Sequence, residues 1–233
     1  MIGFAVAQAY AQQGYVITIT GRPDREPLDG ALQRLKQMQT KVKGELVDTR
    51  NRKEIIRWVD EIAEEFGRID VAIANAGIIL PRPFLELAEE QWEEVVDTHL
   101  KGIFLFLQSV SRIMVKKQLG GSLITVASRA ALRGGTGVAD YARAKGRIIS
   151  LTKCLARELM PYAIRANSVV SVAETRMAEA LRVYRGLDVR SWNERSPRER
   201  RPQPEDIVCP FIFLGSDQSR YVAGQVIAVR ISI

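Results

Sequence analysis

Short apolar runs rich in β-branched residues alternate with helix-like stretches along most of this 233-residue chain. Two of the runs, Ile69 to Ala74 and Leu123 to Ala127, are predicted to be buried strands bounded by turn residues. Strands that alternate regularly with helices must run parallel, because each helix carries the chain back to the same edge of the sheet. The pattern therefore predicts an α/β fold in which helices cover both faces of a parallel sheet.

The predicted elements follow one another without internal repeats, linkers or low-complexity tracts. The predicted strands are Tyr15 to Thr20, Val42 to Val47, Ile69 to Ala74, Leu123 to Ala127 and Arg165 to Val170. The predicted helices are Gly3 to Gln13, Leu28 to Met38, Asn51 to Phe66, Glu86 to Lys117 with a bend near Gly102, and Tyr141 to Met160. We interpret residues 1–233 as a single domain, since this length suits one α/β core.

Three residues have the chemistry and spacing needed to reduce a carbonyl. Ser128 follows the predicted strand Leu123 to Ala127, and Tyr141 begins a predicted helix thirteen residues later. Lys145 is one helical turn after Tyr141, so the two side chains share a helix face about 6 Å apart. A phenol titrates near about 10, and a neighbouring ammonium is expected to lower that pKa toward the range of a neutral-pH acid–base catalyst. For the Tyr-x-x-x-Lys pair alone, a surface cation packed along an aromatic ring remains a second interpretation.

A series of short motifs in fixed order extends this observation over nearly the whole chain. With them the sequence closely resembles the short-chain dehydrogenase/reductase family. The motifs are Asp48-Thr49, Asp70-Val-Ala-Ile-Ala-Asn75-Ala76-Gly77, Leu100-Lys101-Gly102, the Ser128/Tyr141/Lys145 set, Ile164-Arg-Ala-Asn167-Ser-Val, Pro204-Glu-Asp206, Gly215-Ser-Asp217 and Tyr221-Val-Ala-Gly224-Gln-Val-Ile227. Single motifs of this kind are weak signals, whereas eight in register are a strong one.

The resemblance implies a Rossmann-like doubly wound parallel sheet and a dinucleotide-dependent oxidoreductase. It implies that Tyr141 protonates the alkoxide as hydride arrives from a nicotinamide, and that Ser128 polarises the substrate carbonyl. Lys145 is implied to lower the pKa of Tyr141 and to bind the nicotinamide ribose. The family's catalytic asparagine corresponds to His99, the only histidine. His99 either substitutes for that asparagine or only makes hydrogen bonds within a kink of the helix.

The cofactor is expected to contact residues that follow the predicted strands. Arg22 follows the predicted strand Tyr15 to Thr20, and no acidic residue precedes it there to bind the ribose hydroxyls of NAD. A positive side chain at this place favours the 2′-phosphate of NADP over NAD, although Asp24 and Glu26 follow closely. The other cofactor-binding residues implied by the resemblance are Gly3, Asp48, Asn75, Ala76, Gly77, Tyr141, Lys145 and Thr175. An ordinary strand-end turn is the alternative interpretation of the Asn-Ala-Gly segment.

The beginning of the chain departs from the family pattern. Family members open with a strand and a Thr-Gly-x-x-x-Gly-x-Gly turn, of which only Gly3 has a counterpart here, so the chain is predicted to be an N-terminally shortened member lacking the first strand and most of the Gly-rich turn. That strand lies in the middle of such a sheet. The strands Tyr15 to Thr20 and Ile69 to Ala74 must therefore close the gap or leave backbone groups unpaired. The family's Pro-Gly is also absent from the segment Val169 to Thr175. These departures support a second hypothesis, a non-catalytic remnant of the fold that acts as an interaction partner.

The net charge of +7 is concentrated in residues 176–201, which hold eight arginines against four acids. We interpret this segment as the substrate loop by its position in the family. Three interpretations of the segment stay open: first a solvated loop, then a lid that attracts anions, and last a nucleic-acid contact. The nucleic-acid contact ranks last because the segment lacks interleaved aromatic residues. No nucleic-acid or membrane partner is predicted.

The remaining expectations concern cysteines, location and assembly. With one histidine and two cysteines, Cys154 and Cys209, no metal site is predicted, and both thiols are expected to be buried and free. No basic residue precedes the apolar run Phe4 to Ala11, so a cytoplasmic protein is predicted rather than a secreted one. In the family the two long helices pair across a two-fold axis, which predicts a homodimer or homotetramer acting on a small molecule.

Overall fold

The computed structural model describes residues 1–22, 28–190 and 200–229. The helices are α1 Ile2–Ala11, α2 Leu28–Lys36, α3 Arg52–Phe66, α4 Glu89–Val96, α5 Gly102–Lys117, α6 Ala130–Arg133, α7 Ala139–Glu158, α8 Arg176–Tyr184 and α9 Cys209–Gly215, with a π-helical turn at Asp97–Lys101. The strands are β1 Ile17–Gly21, β2 Val42–Leu46, β3 Val71–Ala74, β4 Gly121–Ser128, β5 Ile164–Ser171 and β6 Val226–Ala228. Short 3₁₀ turns occupy Phe84–Glu86, Met160–Tyr162, Pro204–Ile207 and Asp217–Ser219.

Local chemistry sets the helix ends close to where the sequence predicts them. The side chain of Asn51 caps α3 by accepting hydrogen bonds from the backbone N–H groups of Lys53 and Glu54. Gly67 ends the same helix in the left-handed conformation, which glycine adopts without steric cost. The helix predicted from Glu86 to Lys117 with a bend near Gly102 begins at Glu89, and a π-helical turn at Asp97–Lys101, directly before Gly102, joins its two parts. Such turns often occur at functional sites.

All strand pairs among the described residues are parallel, as predicted. β3, β4, β5 and β6 form one sheet in that order, and β4 and β5 are matched over their full length from Gly121↔Ile164 to Ser128↔Ser171. β1 pairs only with β2, in a separate two-stranded sheet. The doubly wound sheet is thus divided between β1 and β3. The sequence left two outcomes open here: the strands on either side close the gap, or their backbone groups stay unpaired. In the described residues β1 and β3 do not pair with each other, so the gap remains open.

Helices cover both faces of the sheet, in accordance with the predicted fold class. One core lies between the sheet and helices α1 and α9, where Val6, Tyr10, Phe211 and Leu214 are buried. The second core lies under α3, α5 and α7. In it, β4 is buried from Ser122 to Ala127, as a strand with apolar neighbours on both faces should be.

Two expectations about the surface have different outcomes. Cys154 and Cys209 carry free thiols, but both are exposed, so the prediction of buried thiols is wrong; Cys154 lies on the outer side of α7, away from the sheet. No helix within the described ranges is both long and apolar enough to cross a bilayer.

Candidate active site

Ser128 and Tyr141 meet at the carboxyl edge of the sheet. Ser128 is the last residue of β4, and its hydroxyl also accepts a hydrogen bond from Ala130 N at 3.2 Å. Tyr141 lies in the first turn of α7, close to Ser128. Burial raises the pKa of the Tyr141 phenol, and the neighbouring Ser128 hydroxyl partly lowers it. The phenol therefore keeps its proton at neutral pH, the state that a proton donor needs.

Lys145 lies close to the Tyr141 ring, but its ammonium group is hydrogen-bonded to the backbone. Its side chain is buried, and its Nζ donates a hydrogen bond to Val126 O at 2.7 Å. The Nζ atom is 5.8 Å from the centre of the Tyr141 ring. Burial lowers the pKa of Lys145 to about 7. The expectation that its charge depresses the pKa of Tyr141 is thus wrong for this structure, because the same burial that brings the two groups together penalises the ammonium.

His99 is packed against Tyr141 from the other side. It is completely buried in the π-turn, and its ring meets the Tyr141 ring edge-on at a centroid distance of 5.1 Å. Its Nε2 atom lies 3.0 Å from Ile78 N and 2.7 Å from Ile78 O. Burial and the charge of Lys145 hold the pKa of His99 well below its usual range. Its Nδ1 atom has no hydrogen-bond partner within the part of the chain that the structure describes.

The predicted cofactor residues of the first half lie around the carboxyl ends of β1 and β3. Gly3, in the first turn of α1, faces the side chain of Asn75, and a Cβ atom on Gly3 would lie 2.7 Å from Asn75 Nδ2. Ala76 continues from Asn75 along the same edge. Gly77 passes so close to His99 that a Cβ atom would overlap the imidazole. The α1 N-terminus is not capped by a side chain, so its first N–H groups are available to an anion.

Arg22 and Asp48, which are predicted to contact the cofactor, lie near each other at this edge. Asp48 accepts a bidentate pair of hydrogen bonds from Arg50, whose guanidinium lowers the pKa of the carboxyl group. Arg22 lies close enough to Asp48 to lower that pKa further, and its Nη2 is 3.8 Å from Glu94. Asp24 and Glu26, which follow Arg22, lie outside the described residues.

Thr175 is separated from these residues and caps α8. Its hydroxyl accepts a hydrogen bond from Ala178 N at 3.2 Å. A cavity of about 530 Å³ lies between α8 and Pro81 and is lined in part by Arg176 and Tyr184. Within residues 176–201 the structure describes this helix and its flanks, while residues 191–199 of the predicted substrate loop lie outside the description.

Sequence reasoning missed two contributors to the site. Asp140 is buried beside Tyr141, accepts a hydrogen bond from Tyr141 N at 2.6 Å, and has its pKa raised by burial. Its position directly before the tyrosine is a signal that could have been noticed. The carbonyl of Val126, which binds Lys145, gives no sequence signal because any residue supplies one.

Comparison with known proteins agrees with this geometry. A family model described as enoyl-(acyl carrier protein) reductase matches residues 1–230. The chain belongs to the short-chain dehydrogenase/reductase family. A 3-oxoacyl-(acyl-carrier-protein) reductase from Thermotoga maritima is 34% identical over 98% of this chain and 91% of its own length. A 3α-hydroxysteroid dehydrogenase from Mediterraneibacter gnavus is 31% identical over 98% and 90%.

Solved structures of the short-chain dehydrogenase/reductase family superpose closely. A short-chain type dehydrogenase/reductase from Mycobacterium marinum gives a TM-score of 0.90 at 30% identity, covering 98% of this chain and 89% of that one. An NAD⁺-bound xylitol dehydrogenase gives a TM-score of 0.93 at 25% identity, covering 99% and 94%. Because the matches run over nearly the full length of both partners, they do not bear out the description of this chain as a shortened family member. They place it among oxidoreductases that interconvert carbonyl and hydroxyl groups with a nicotinamide cofactor.

Proposed function

We propose that this chain is an NADP-dependent dehydrogenase/reductase that interconverts a carbonyl and a hydroxyl group on a small molecule, with Tyr141 as the general acid and base. The observation that carries the proposal is that Tyr141 and Ser128 lie together at the carboxyl end of β4, close enough for the Ser128 hydroxyl to lower the pKa of the phenol. A carbonyl oxygen bound between them is within reach of both hydroxyl groups. Two donors on one oxygen stabilise the negative charge that develops there during reduction.

The side chains divide the proton chemistry among them. When bound, the nicotinamide supplies or accepts the hydride. Ser128 orients the carbonyl oxygen, and Tyr141, protonated because it is buried, donates its proton to the alkoxide. Burial holds the pKa of Lys145 at about 7, so the negative charge of the phenolate would favour the protonated form of Lys145, with the proton taken from solvent. His99 supports the Tyr141 ring from the side and presents an unpartnered Nδ1 in the same buried region.

The preference for NADP rests on Arg22. Its guanidinium lies at the end of β1 on the adenine side, near Asp48 and Glu94. A 2′-phosphate adds negative charge beside this arginine, whereas a 2′-hydroxyl of NAD gains little from it. Replacement of Arg22 by alanine should therefore weaken NADPH by about tenfold or more and leave NADH within a few-fold. Equal effects on both cofactors would exclude the assignment.

The cavity beside α8 supports a partly apolar substrate. Tyr184 and Val183 supply apolar surface, and Arg176 and Glu179 each add one charge of opposite sign. An apolar ketone or acyl group fits this lining better than a polyol does. The relatives named above are a 3-oxoacyl-(acyl-carrier-protein) reductase and a 3α-hydroxysteroid dehydrogenase, which suggests a pair of substrates to compare.

The decisive experiment follows NADPH oxidation at 340 nm with an acetoacetyl thioester and with a neutral 3-ketosteroid. Wild type should turn over at least one of them, and the Ser128→Ala and Tyr141→Phe variants should not. Turnover that survives in both variants would refute the site.

A second function, a non-catalytic binding protein of this fold, is favoured by one observation. The sheet is divided between β1 and β3, so the α1 N-terminus and Asn75 border an open gap and not a closed phosphate turn. If this interpretation is correct, the chain binds neither NADPH nor NADH at millimolar concentration and turns over no carbonyl substrate, although it is folded.

A further inference from the structure

Helix α7 begins without an N-cap side chain. Val138 precedes its first residue and offers no side-chain acceptor, and a ψ angle of 37° places its backbone outside the extended region that N-cap residues adopt. The first backbone hydrogen bond of the helix runs from Ala142 N to Val138 O at 2.8 Å. The N–H groups before Ala142 therefore have no carbonyl partner within the helix, and one of them belongs to Tyr141.

Tyr141 is the residue of this first turn whose position matters most for the chemistry. It is the third residue of α7, and the N–H group at that position is one that an N-cap side chain ordinarily binds. A first turn with unpaired amides is free to fray, and fraying would carry the phenol away from Ser128. An error of about 1 Å in the placement of a reacting group can cost about a hundredfold in rate. The backbone of Tyr141 thus needs an acceptor from another side chain.

Asp140 supplies that acceptor from within the helix. Its Oδ1 atom accepts a hydrogen bond from Tyr141 N at 2.6 Å, a short bond of the kind that a charged acceptor forms. Burial raises the pKa of the Asp140 carboxyl group, and the backbone N–H groups of Tyr141 and Asp140 lower it in part. The positive end of the dipole of a 20-residue helix also favours a negative charge at this place.

The chain that leads into α7 is held by contacts that do not involve Asp140. Gly137 O accepts a hydrogen bond from Arg82 N at 3.0 Å. The ring of Tyr184 lies against Gly137, where a Cβ atom would overlap it, and the next residue, Val138, is buried. The helix therefore starts from a fixed point, and only its first turn depends on Asp140.

The burial of Asp140 distinguishes it from an ordinary surface cap. The residue is 2% exposed, and its Oδ2 atom has no hydrogen-bond partner within the part of the chain that the structure describes. The buried cation of the same helix, Lys145, donates to Val126 O instead. Solvent readily replaces an exposed cap, but it has little access to this one, so loss of the carboxylate would leave the Tyr141 N–H group without a partner.

We propose that Asp140 is a positioning residue for the carbonyl–hydroxyl interconversion: through its bond to Tyr141 N it replaces the missing N-cap of α7 and fixes the phenol beside Ser128. In this role it touches neither substrate nor cofactor and acts only through the backbone of Tyr141. The inference rests on the proposed function, because it takes Tyr141 as the proton donor. An amide oxygen in the place of Oδ1 should serve as well as the carboxylate, since the bond needs an acceptor and not a titrating group.

The test compares Asp140→Asn, which keeps an acceptor oxygen, with Asp140→Ala, which removes it. At saturating NADPH, Asp140→Ala should lower kcat about ten- to a hundredfold because the phenol is misplaced, and KM for the carbonyl substrate should change little. Asp140→Asn should retain most of the wild-type kcat. Asn51→Ala is the matched control: it removes the side-chain cap of α3, which carries no residue of the site, so it should lower the thermal midpoint but not kcat.

Amide hydrogen exchange gives a second measurement that needs no substrate. In the wild type the amide of Tyr141 should exchange more slowly than that of Ala139, the first residue of the same turn. Asp140→Ala should speed exchange at Tyr141 by about tenfold or more relative to Ala142, and Asp140→Asn should preserve the protection. If the wild type reduces no carbonyl while these exchange results hold, the enzymatic proposal has failed and the fixing of Tyr141 by Asp140 has not.

Four results would overturn the proposal. Equal loss of kcat in Asp140→Asn and Asp140→Ala would show that the carboxylate acts through its charge or its proton. A wild-type kcat in Asp140→Ala would show that the turn holds without it, and a matching loss in Asn51→Ala would trace the effect to stability. Wild-type exchange at Tyr141 as fast as at Ala139 would show that the bond does not form. If Asp140→Ala does not fold, the exchange of the wild type and the activity of Asp140→Asn still decide the question.

Discussion

The imidazole of His99 occupies the space left by the missing side chain of Gly77. A Cβ atom at position 77 would overlap the His99 ring, which also meets Tyr141 edge-on at 5.1 Å. The ring is held from the third side by the backbone of Ile78. His99 is therefore part of the packing around Tyr141. Substitutions of His99 and of Gly77 should consequently have coupled effects on stability and on activity.

Gly77→Ala should lower both stability and activity by displacing the His99 ring from Tyr141. We expect a loss of about 2 kcal/mol in the free energy of unfolding, typical of overpacking in a core. His99→Asn should cost less, and in the double variant the smaller amide should relieve part of the overlap. Urea unfolding of the wild type, the two single variants and the double variant gives the coupling energy. Strict additivity would show that the two positions do not compete for the same space.

Tyr141→Phe should abolish carbonyl reduction while leaving the fold intact. The change removes the hydroxyl proposed as the proton donor, and general acid catalysis contributes about 10²–10⁴ in rate. The measurement is kcat/KM with the better of the two carbonyl substrates, together with the circular dichroism spectrum. Tyr221→Phe is the control, since that ring is 90% exposed and far from the sheet edge. Comparable losses in both variants would argue against a specific role for Tyr141.

The buried Lys145 should make stability depend on pH between about 7 and its unfolded value. Its folded pKa is about 7 against 10.5 for an unperturbed lysine, so the unfolded chain binds more protons over this range. The free energy of unfolding should therefore rise with pH above about 7, by up to about 1.4 kcal/mol per pH unit, and the penalty for burying the charge should be complete below it. Lys145→Met should lose this dependence in urea titrations at pH 6 to 9. Lys153→Met, on the exposed side of the same helix α7, should keep it; a flat wild-type profile would contradict the assignment.

The chain should form a homodimer or homotetramer through α5 and α7. Phe104 on α5 is 40% exposed and Met160, just beyond α7, is 70% exposed, so apolar surface remains on these elements. Light scattering at micromolar concentration should give two or four times the chain mass, and Phe104→Glu should shift it downward. A monomer in the wild type would contradict this prediction.

The sequence by itself predicted the order and type of the main strands and helices, although not α6, α8 or α9, and it singled out the residues expected at the site. The run Leu123 to Ala127 has the length and composition of a buried strand, and Tyr141 and Lys145 are one helical turn apart. These properties are local, because periodicity and turn chemistry act over a few residues. They were sufficient to identify the family and to place the hydroxyl groups at one edge.

Only the tertiary structure decided how those residues interact. The pKa of Lys145 depends on its burial and on a carbonyl from β4, neither of which is encoded next to it in sequence. The packing of His99 against Gly77 joins the π-turn to the end of β3. The division of the sheet between β1 and β3 is also a tertiary result: the sequence predicted two costly alternatives, and among the described residues β1 and β3 are not paired with each other. Such outcomes depend on the summed packing of distant segments, which no local pattern records.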